Sequence, residues 1–168
     1  QFAPDGDVRS LLLSVSPPRL SAAAARVDAA ELAMMEDEST HTQLEYAAAL
    51  AEWGDAGGYE AEVLWDVCTM AALGTAYDRC HYRDLHTLSG GEQKRLALEA
   101  LLRGPDDVLL LDEPDNFLDV PGKRWLEEQL RATQKTVLLV SHDRALLAQA
   151  ATRIAAGALG AAGNTLWV

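Results

Sequence analysis

Three short segments carry residue types that would do chemistry together. The first is Leu88-Ser89-Gly90-Gly91-Glu92-Gln93, a Gly-Gly step at the opening of a helix. Bare glycines let the backbone approach a ligand closely. The first turn of the helix offers unpaired N–H groups and a positive dipole end to an anion such as a phosphate. The same residues would equally make an ordinary capped helix, because Ser89 and Glu92 stand at capping-box spacing. The second segment, Val108-Leu109-Leu110-Leu111-Asp112-Glu113-Pro114, is an apolar run that closes on two adjacent carboxylates. At the C-terminal edge of a parallel sheet, where ligands of such folds bind, Asp112 would hold Mg²⁺ and Glu113 would orient and deprotonate an attacking water. A solvated acidic turn before Pro114 is the plainer alternative. The third segment is Thr136 to Val140 followed by Ser141-His142-Asp143. A histidine there would reach a γ-phosphate or its attacking water by hydrogen bonding, although a lone histidine in such a place is more often a cap or a surface residue.

The elements that must position these residues change character along the chain. From Pro17 to Gly74 the pattern is helical. Pro17-Pro18 suits a helix entrance, and Leu20, Ala24, Val27, Ala30 and Met34 recur three and four apart until the polar Glu36-Asp37-Glu38-Ser39-Thr40 break. A second helix fits Gln43 to Trp53. A third starts near Tyr59, with Tyr59, Val63, Val67 and Met70 on one face and Gly74 at a C-cap position. After residue 87 helix and strand alternate. Ser89 to Arg103 reads as a helix, Val108 to Leu111 as a buried strand, Val120 to Arg131 as an amphipathic helix, Thr136 to Val140 as a second buried strand, and Asp143 to Ala151 as a helix. Arg153 to Ala158 and Asn164 to Val168 read as terminal strands. Strand, helix and strand in this order make a layered α/β sheet.

The 168 residues suffice for one domain with a respectable core, and the net charge is −12. That charge is lopsided: residues 1 to 78 hold 14 acidic and 3 basic side chains, and residues 79 to 168 hold 12 and 11. The acidic surface argues against a grip on a phosphate backbone, which depends on Lys and Arg, and leaves a basic protein partner open. Cys68 and Cys80 lack metal-ligand spacing and suggest idle thiols of a reducing cytosol. No apolar stretch approaches the roughly 18 residues that span a bilayer. The expectation is a soluble, cytoplasmic protein.

The order of the three segments, with Asn116-Phe117-Leu118-Asp119 between the second and third, resembles the ATP-binding cassette (ABC) ATPases, whose signature motif, Walker B, D-loop and switch histidine they match. The wording of residues 112–119 and 141–144 is similar to the ABC-F branch, soluble tandem-cassette proteins that act on ribosomes and include translation factors and antibiotic-resistance proteins. The resemblance implies an α/β fold: a partial P-loop NTPase core with a parallel sheet, preceded by an all-α helical subdomain with an arm insertion. The expected division is residues 1–87 for that subdomain and 88–168 for the C-terminal part of the core. It also implies roles. Ser89, Gly90, Gly91 and Gln93 would contact the γ-phosphate of ATP held by the opposing cassette. Asp112 would serve Mg²⁺, Glu113 would be the general base and His142 would sense the γ-phosphate. Asp119 would belong to the contact between cassettes, and Gln1 falls where the Q-loop glutamine is expected.

Two departures accompany the match. Asp115 and Phe117 stand where the family commonly has Thr and His. No G-x-x-x-x-G-K-[ST] phosphate loop occurs, and the one Gly-Lys pair, Gly122-Lys123, lies at a helix start where it makes no cradle. The reading favoured by the intact Glu113 and His142 is a segment of a longer protein that begins near the Q-loop. The other is a degenerate regulatory half. For the parent, the resemblance implies an ATP hydrolase with a second cassette of the same chain as partner, and the ribosome reached through the acidic arm. An ATPase subunit of a membrane transporter and a non-catalytic interaction domain are the competing classes. The segment alone is expected not to turn over ATP, and an incomplete sheet leaves a strand edge open to self-association.

Overall fold

The computed structural model describes residues 6–154, 156–160 and 163–167. The chain divides into two compact units, the first ending at Asp106 and the second beginning at Asp107. Gln1 lies outside the described residues.

The first unit is helical: α1 (Val8–Ser14), α2 (Pro18–Glu36), α3 (Thr40–Asp55), α4 (Gly58–Leu73), α5 (Tyr77–Cys80), a 3₁₀ turn at Leu85–Thr87, and α6 (Gly90–Arg103). Local chemistry sets most of these boundaries. Pro18 occupies the first turn of α2, where a missing N–H costs nothing. Ser39 caps α3 by accepting from Thr42 N at 3.3 Å, which starts that helix ahead of the expected Gln43. Gly74 closes α4 with φ +66°, the left-handed conformation anticipated for it. The α2–α3 pair is a helical hairpin whose inner stripe is buried at its base by Leu20, Ala23, Ala24, Ala49 and Trp53. Burial falls toward the tip, where Glu36, Asp37 and Glu38 are exposed beside Leu32 and Met35.

The core of this unit joins Val8, Leu11 and Leu12 of α1 to Trp53, Trp65, Cys68 and Leu96. Trp53, Trp65 and Tyr77 pack in succession, with ring centroids 6.2 and 5.5 Å apart. The Tyr59, Val63, Val67 and Met70 face of α4 is exposed; the side of Trp65, Cys68 and Thr69 is the one that turns inward. Both sides of α4 are apolar, so periodicity could not say which would be covered. Packing of α4 on α6 decided it. The start of the chain is sewn to the segment leading into α6: Leu85 N donates to Gly6 O at 2.8 Å, Arg9 N to His81 O at 2.9 Å and Val8 N to Arg83 O at 3.1 Å. With α6 packed on α1 and α4, the compact unit extends to Asp106, beyond the expected division at residue 87.

The second unit contains β1 (Val108–Asp112), α7 (Val120–Ala132), β2 (Thr136–Val140), α8 (Arg144–Ala150) and the hairpin strands β3 (Ala156–Gly160) and β4 (Gly163–Trp167). Strands β1 and β2 pair in parallel, Val108 with Thr136 through Asp112 with Val140, and β3 pairs antiparallel with β4. Leu109, Leu111, Leu126, Leu130 and Leu146 are buried, while Val108, Leu110, Leu138 and Val140 are more than half exposed. The expectation of strands buried on both faces therefore holds on one face only, because among the described residues this sheet is two strands wide. No described helix is long and apolar enough to cross a membrane.

Candidate functional site

The predicted residues fall into two groups, one in each unit. In the first unit, Ser89 caps α6. Its Oγ accepts from Glu92 N at 3.2 Å, and the Glu92 carboxylate accepts from Ser89 N at 2.8 Å and Ser89 Oγ at 2.7 Å. This reciprocal capping box holds the helix start rigid. The Ser89 hydrogen bonds keep the Glu92 carboxyl below its ordinary range, so it stays ionised and stays a cap. Ser89 and Gly90 are exposed and Gly91 is half-buried, leaving the first turn accessible on 14 residues of helix. Gln93 follows in the first turn and is half-buried. Its side-chain amide donates to Leu85 O at 2.8 Å and Leu88 O at 3.3 Å, bracing the turn that precedes the cap.

In the second unit, the parallel register brings the carboxyl ends of β1 and β2 side by side. Asp112 ends β1 opposite Val140 and is exposed. Glu113 follows with its N–H donating to Val140 O at 2.8 Å, and its φ of +45° is a left-handed conformation that a non-glycine residue adopts only at a cost of about 1–2 kcal/mol. Backbone strain of this kind gathers where a side chain must be aimed. His142 leaves the end of β2 on the same edge, and its Nε2 stands 3.4 Å from Glu113 Oε1. The ring is 97% exposed and the carboxylate 23% exposed, so the carboxylate is the better shielded of the two.

Asp119 caps α7 by accepting from Gly122 N at 2.8 Å. Asp143 caps α8 through Ala145 N and Leu146 N at 2.9 and 3.2 Å. Asp115, only 5% exposed, accepts from Ser141 Oγ at 2.7 Å. Lys123 reaches Asp143 at 2.8 Å and Asp115 at 3.4 Å. Sequence reasoning passed over Asp115 and Lys123 as participants. Their one signal was that Asp115 departs from the usual residue of this turn.

Among the described residues no three His, Cys, Asp or Glu side chains converge as a cation cage, and the exposed Asp112 is the carboxylate that would meet a cation at this strand edge. That donor set suits Mg²⁺ carried mainly by nucleotide phosphates and water, which needs one or two protein carboxylates. An accessible helix start and a carboxylate–imidazole pair at a strand edge fit phosphate chemistry. The cradle of backbone N–H groups and lysine that grips β- and γ-phosphates is absent from this sequence.

Comparison with known proteins agrees with that chemistry. A family model described as "ABC transporter" matches residues 18–116. An antibiotic resistance protein of Mycobacteroides abscessus is 58% identical over 164 residues, covering 98% of this chain and 30% of that protein. The tylosin resistance ATP-binding protein of Streptomyces fradiae is 40% identical, covering 76% of this chain and 23% of its own length. The ribosome protection protein VmlR of Bacillus subtilis is 50% identical, covering 43% of this chain and 13% of its own length. The chain thus spans less than a third of each of these relatives.

Proposed function

This chain belongs to the ABC transporter family, and from that premise we propose that it is part of an ABC-F-type ATP-binding protein that couples ATP binding and hydrolysis to action on the ribosome. The observation that carries the catalytic part is the Glu113–His142 pair, 3.4 Å apart at the aligned carboxyl ends of two parallel strands and one residue beyond Asp112. In the complete protein Asp112 serves the Mg²⁺ of the nucleotide. Glu113 takes a proton from the attacking water as its oxygen bonds the γ-phosphorus and the bond from that phosphorus to the β,γ-bridging oxygen breaks to release ADP, and His142 orients the phosphate by hydrogen bonding. Mg²⁺, when bound, neutralises the charge that develops on the phosphate oxygens. Ser89, Gly90 and Gly91 present the helix start to ATP held by a second cassette of the same parent chain, and Asp119 belongs to the contact between cassettes. Gln93 acts there by bracing the turn beneath Ser89.

The ribosomal part of the reading is supported by the names of the relatives, which include a ribosome protection protein, and by the charge of the arm. Residues 1 to 78 carry 14 acidic and 3 basic side chains, and the exposed tip of the α2–α3 hairpin is Glu36-Asp37-Glu38, which suits a basic protein surface better than bare RNA. The parent acts in the cytoplasm.

Steady-state ATP hydrolysis by the full-length protein tests the catalytic reading. Glu113→Gln is expected to lower kcat at least a hundredfold while leaving ATP binding intact. A Glu113→Gln protein that turns over normally refutes it. Titration calorimetry of this chain alone with Mg-ATP tests the need for an upstream phosphate loop, and sub-millimolar binding would refute that need. Co-sedimentation of the full-length protein with ribosomes tests the partner.

A further inference from the structure

The two turns that carry Glu113 and His142 are tied together by a network that the reaction itself does not use. Asp115, two residues beyond Glu113, has both carboxylate oxygens engaged: Oδ1 accepts from Ser141 Oγ at 2.7 Å and Oδ2 faces Lys123 Nζ at 3.4 Å. Ser141 Oγ also accepts from Asp143 N at 2.9 Å, and Lys123 Nζ donates to Asp143 Oδ2 at 2.8 Å. The residues on either side of His142 are therefore fastened to Asp115 and Lys123. The exposed ring itself lies with Nε2 3.4 Å from Glu113 Oε1. Lys123 comes from the first turn of α7, the helix that Asp119 caps, so one ammonium joins the segment after β1, the start of α7 and the segment after β2.

We propose that Lys123 and Asp115 are positioning residues that hold the His142 turn against the Glu113 turn in the geometry needed for hydrolysis, an inference that rests on the ATPase reading above. Asp115 is buried, and a buried carboxylate is tolerated only when compensated. Without the ammonium, the buried Asp115 carboxylate keeps only its Ser141 hydrogen bond, and the tie from α7 to the segments after β1 and β2 is lost. A misplacement of about 1 Å in a catalytic group costs up to about a hundredfold in rate. The two carboxylates hold the Lys123 proton more firmly than usual, and Lys123 with the α8 cap lowers Asp143, as expected for a formed bridge.

The test is ATP hydrolysis by the full-length protein, comparing wild type with Lys123→Met, Lys123→Arg, Asp115→Asn, the Lys123→Met/Asp115→Asn double variant and Glu113→Gln, each with its thermal midpoint. Lys123→Met is expected to lower kcat about tenfold with KM for ATP unchanged within about twofold. Lys123→Arg, which keeps the charge, is expected to recover most of that loss. Asp115→Asn keeps an acceptor for Ser141 but loses the charge pair. It is expected to behave like Lys123→Met, and the double variant to fall no further than the worse single one. If Lys123→Met does not fold, the charge-keeping Lys123→Arg and the isosteric Asp115→Asn carry the comparison. The proposal is overturned if a folded Lys123→Met or Asp115→Asn keeps wild-type kcat, if Lys123→Arg is as impaired as Lys123→Met, or if the losses add in the double variant. A wild type without turnover, or an active Glu113→Gln, overturns the ATPase reading and this inference with it.

Discussion

Replacing Gly58 by alanine is the sharpest probe of how the arm is rooted. A Cβ at Gly58 would lie 2.0 Å from Trp53 Cε2, 2.1 Å from Cδ2 and 2.4 Å from Nε1, well inside van der Waals contact with a rigid ring. Trp53 has little room to retreat. It is buried, and it packs on Trp65 with ring centroids 6.2 Å apart. Only Ala56 and Gly57 separate α3 from α4, so the helices have little slack to spread. Over-packing a tight core costs about 1–3 kcal/mol, and complete loss of a tryptophan's packing costs about 3–5 kcal/mol. Gly58→Ala should therefore cost about 3 kcal/mol. Gly57→Ala is the control: its Cβ would meet nothing within 4 Å, but φ +85° leaves the alanine in the left-handed region, at about 1–2 kcal/mol. The assay is urea unfolding of the chain followed by far-UV circular dichroism. The deciding measurement is the double variant, since Trp53→Ala removes the ring that Gly58→Ala strikes. Trp53→Ala/Gly58→Ala should match Trp53→Ala within about 0.5 kcal/mol. Equal costs at the two glycines, or additive losses in the double variant, would refute the reasoning.

Ser89→Ala removes the acceptor for Glu92 N and should destabilise α6 by about 1 kcal/mol, measured by the same unfolding curves, with Ser89→Thr restoring most of it. Burial, helped by the nearby Glu99 carboxylate, pushes the Cys68 thiol from 9.0 up to about 11, and burial raises Cys80 as well. The folded state thus keeps protons that the unfolded chain releases. The stability tied to the thiols is intact below pH 9.0 and is lost as pH rises toward about 11, so unfolding midpoints across that window should fall less steeply in Cys68→Ala. Reversing charge at the arm tip with Glu36→Lys, Asp37→Lys and Glu38→Lys should weaken ribosome co-sedimentation of the full-length protein while leaving basal ATP hydrolysis unchanged. Undiminished co-sedimentation would remove the arm from the interface.

Much of the site was legible because its parts are local. A capping box is chemistry across three residues, so Ser89 and Glu92 announced the start of α6, and Gly74 its neighbour's end, without reference to the rest of the chain. The apolar runs closing on Asp112-Glu113 and Ser141-His142 located two strand ends by the same kind of short-range pattern. The helical stripe of α4 failed as a guide because that helix is apolar on both sides, and a period cannot choose between two qualifying faces. Gln93 shows what residue type leaves unsaid: its amide finds two carbonyls within hydrogen-bond reach, Leu85 O and Leu88 O, which no local pattern announces.

By itself the sequence determined the order of the chemical segments, the caps at Ser89 and Gly74 and the acidic bias of the arm, since each is written in residue types along a short stretch of chain. Tertiary structure alone decided that Asp112 is level with Val140, that Glu113 meets His142, and that Lys123 joins Asp115, 8 residues before it, to Asp143, 20 residues after it. Those placements depend on parallel pairing and on a buried charge finding its partner, and neither leaves a mark in the spacing of residues along the chain.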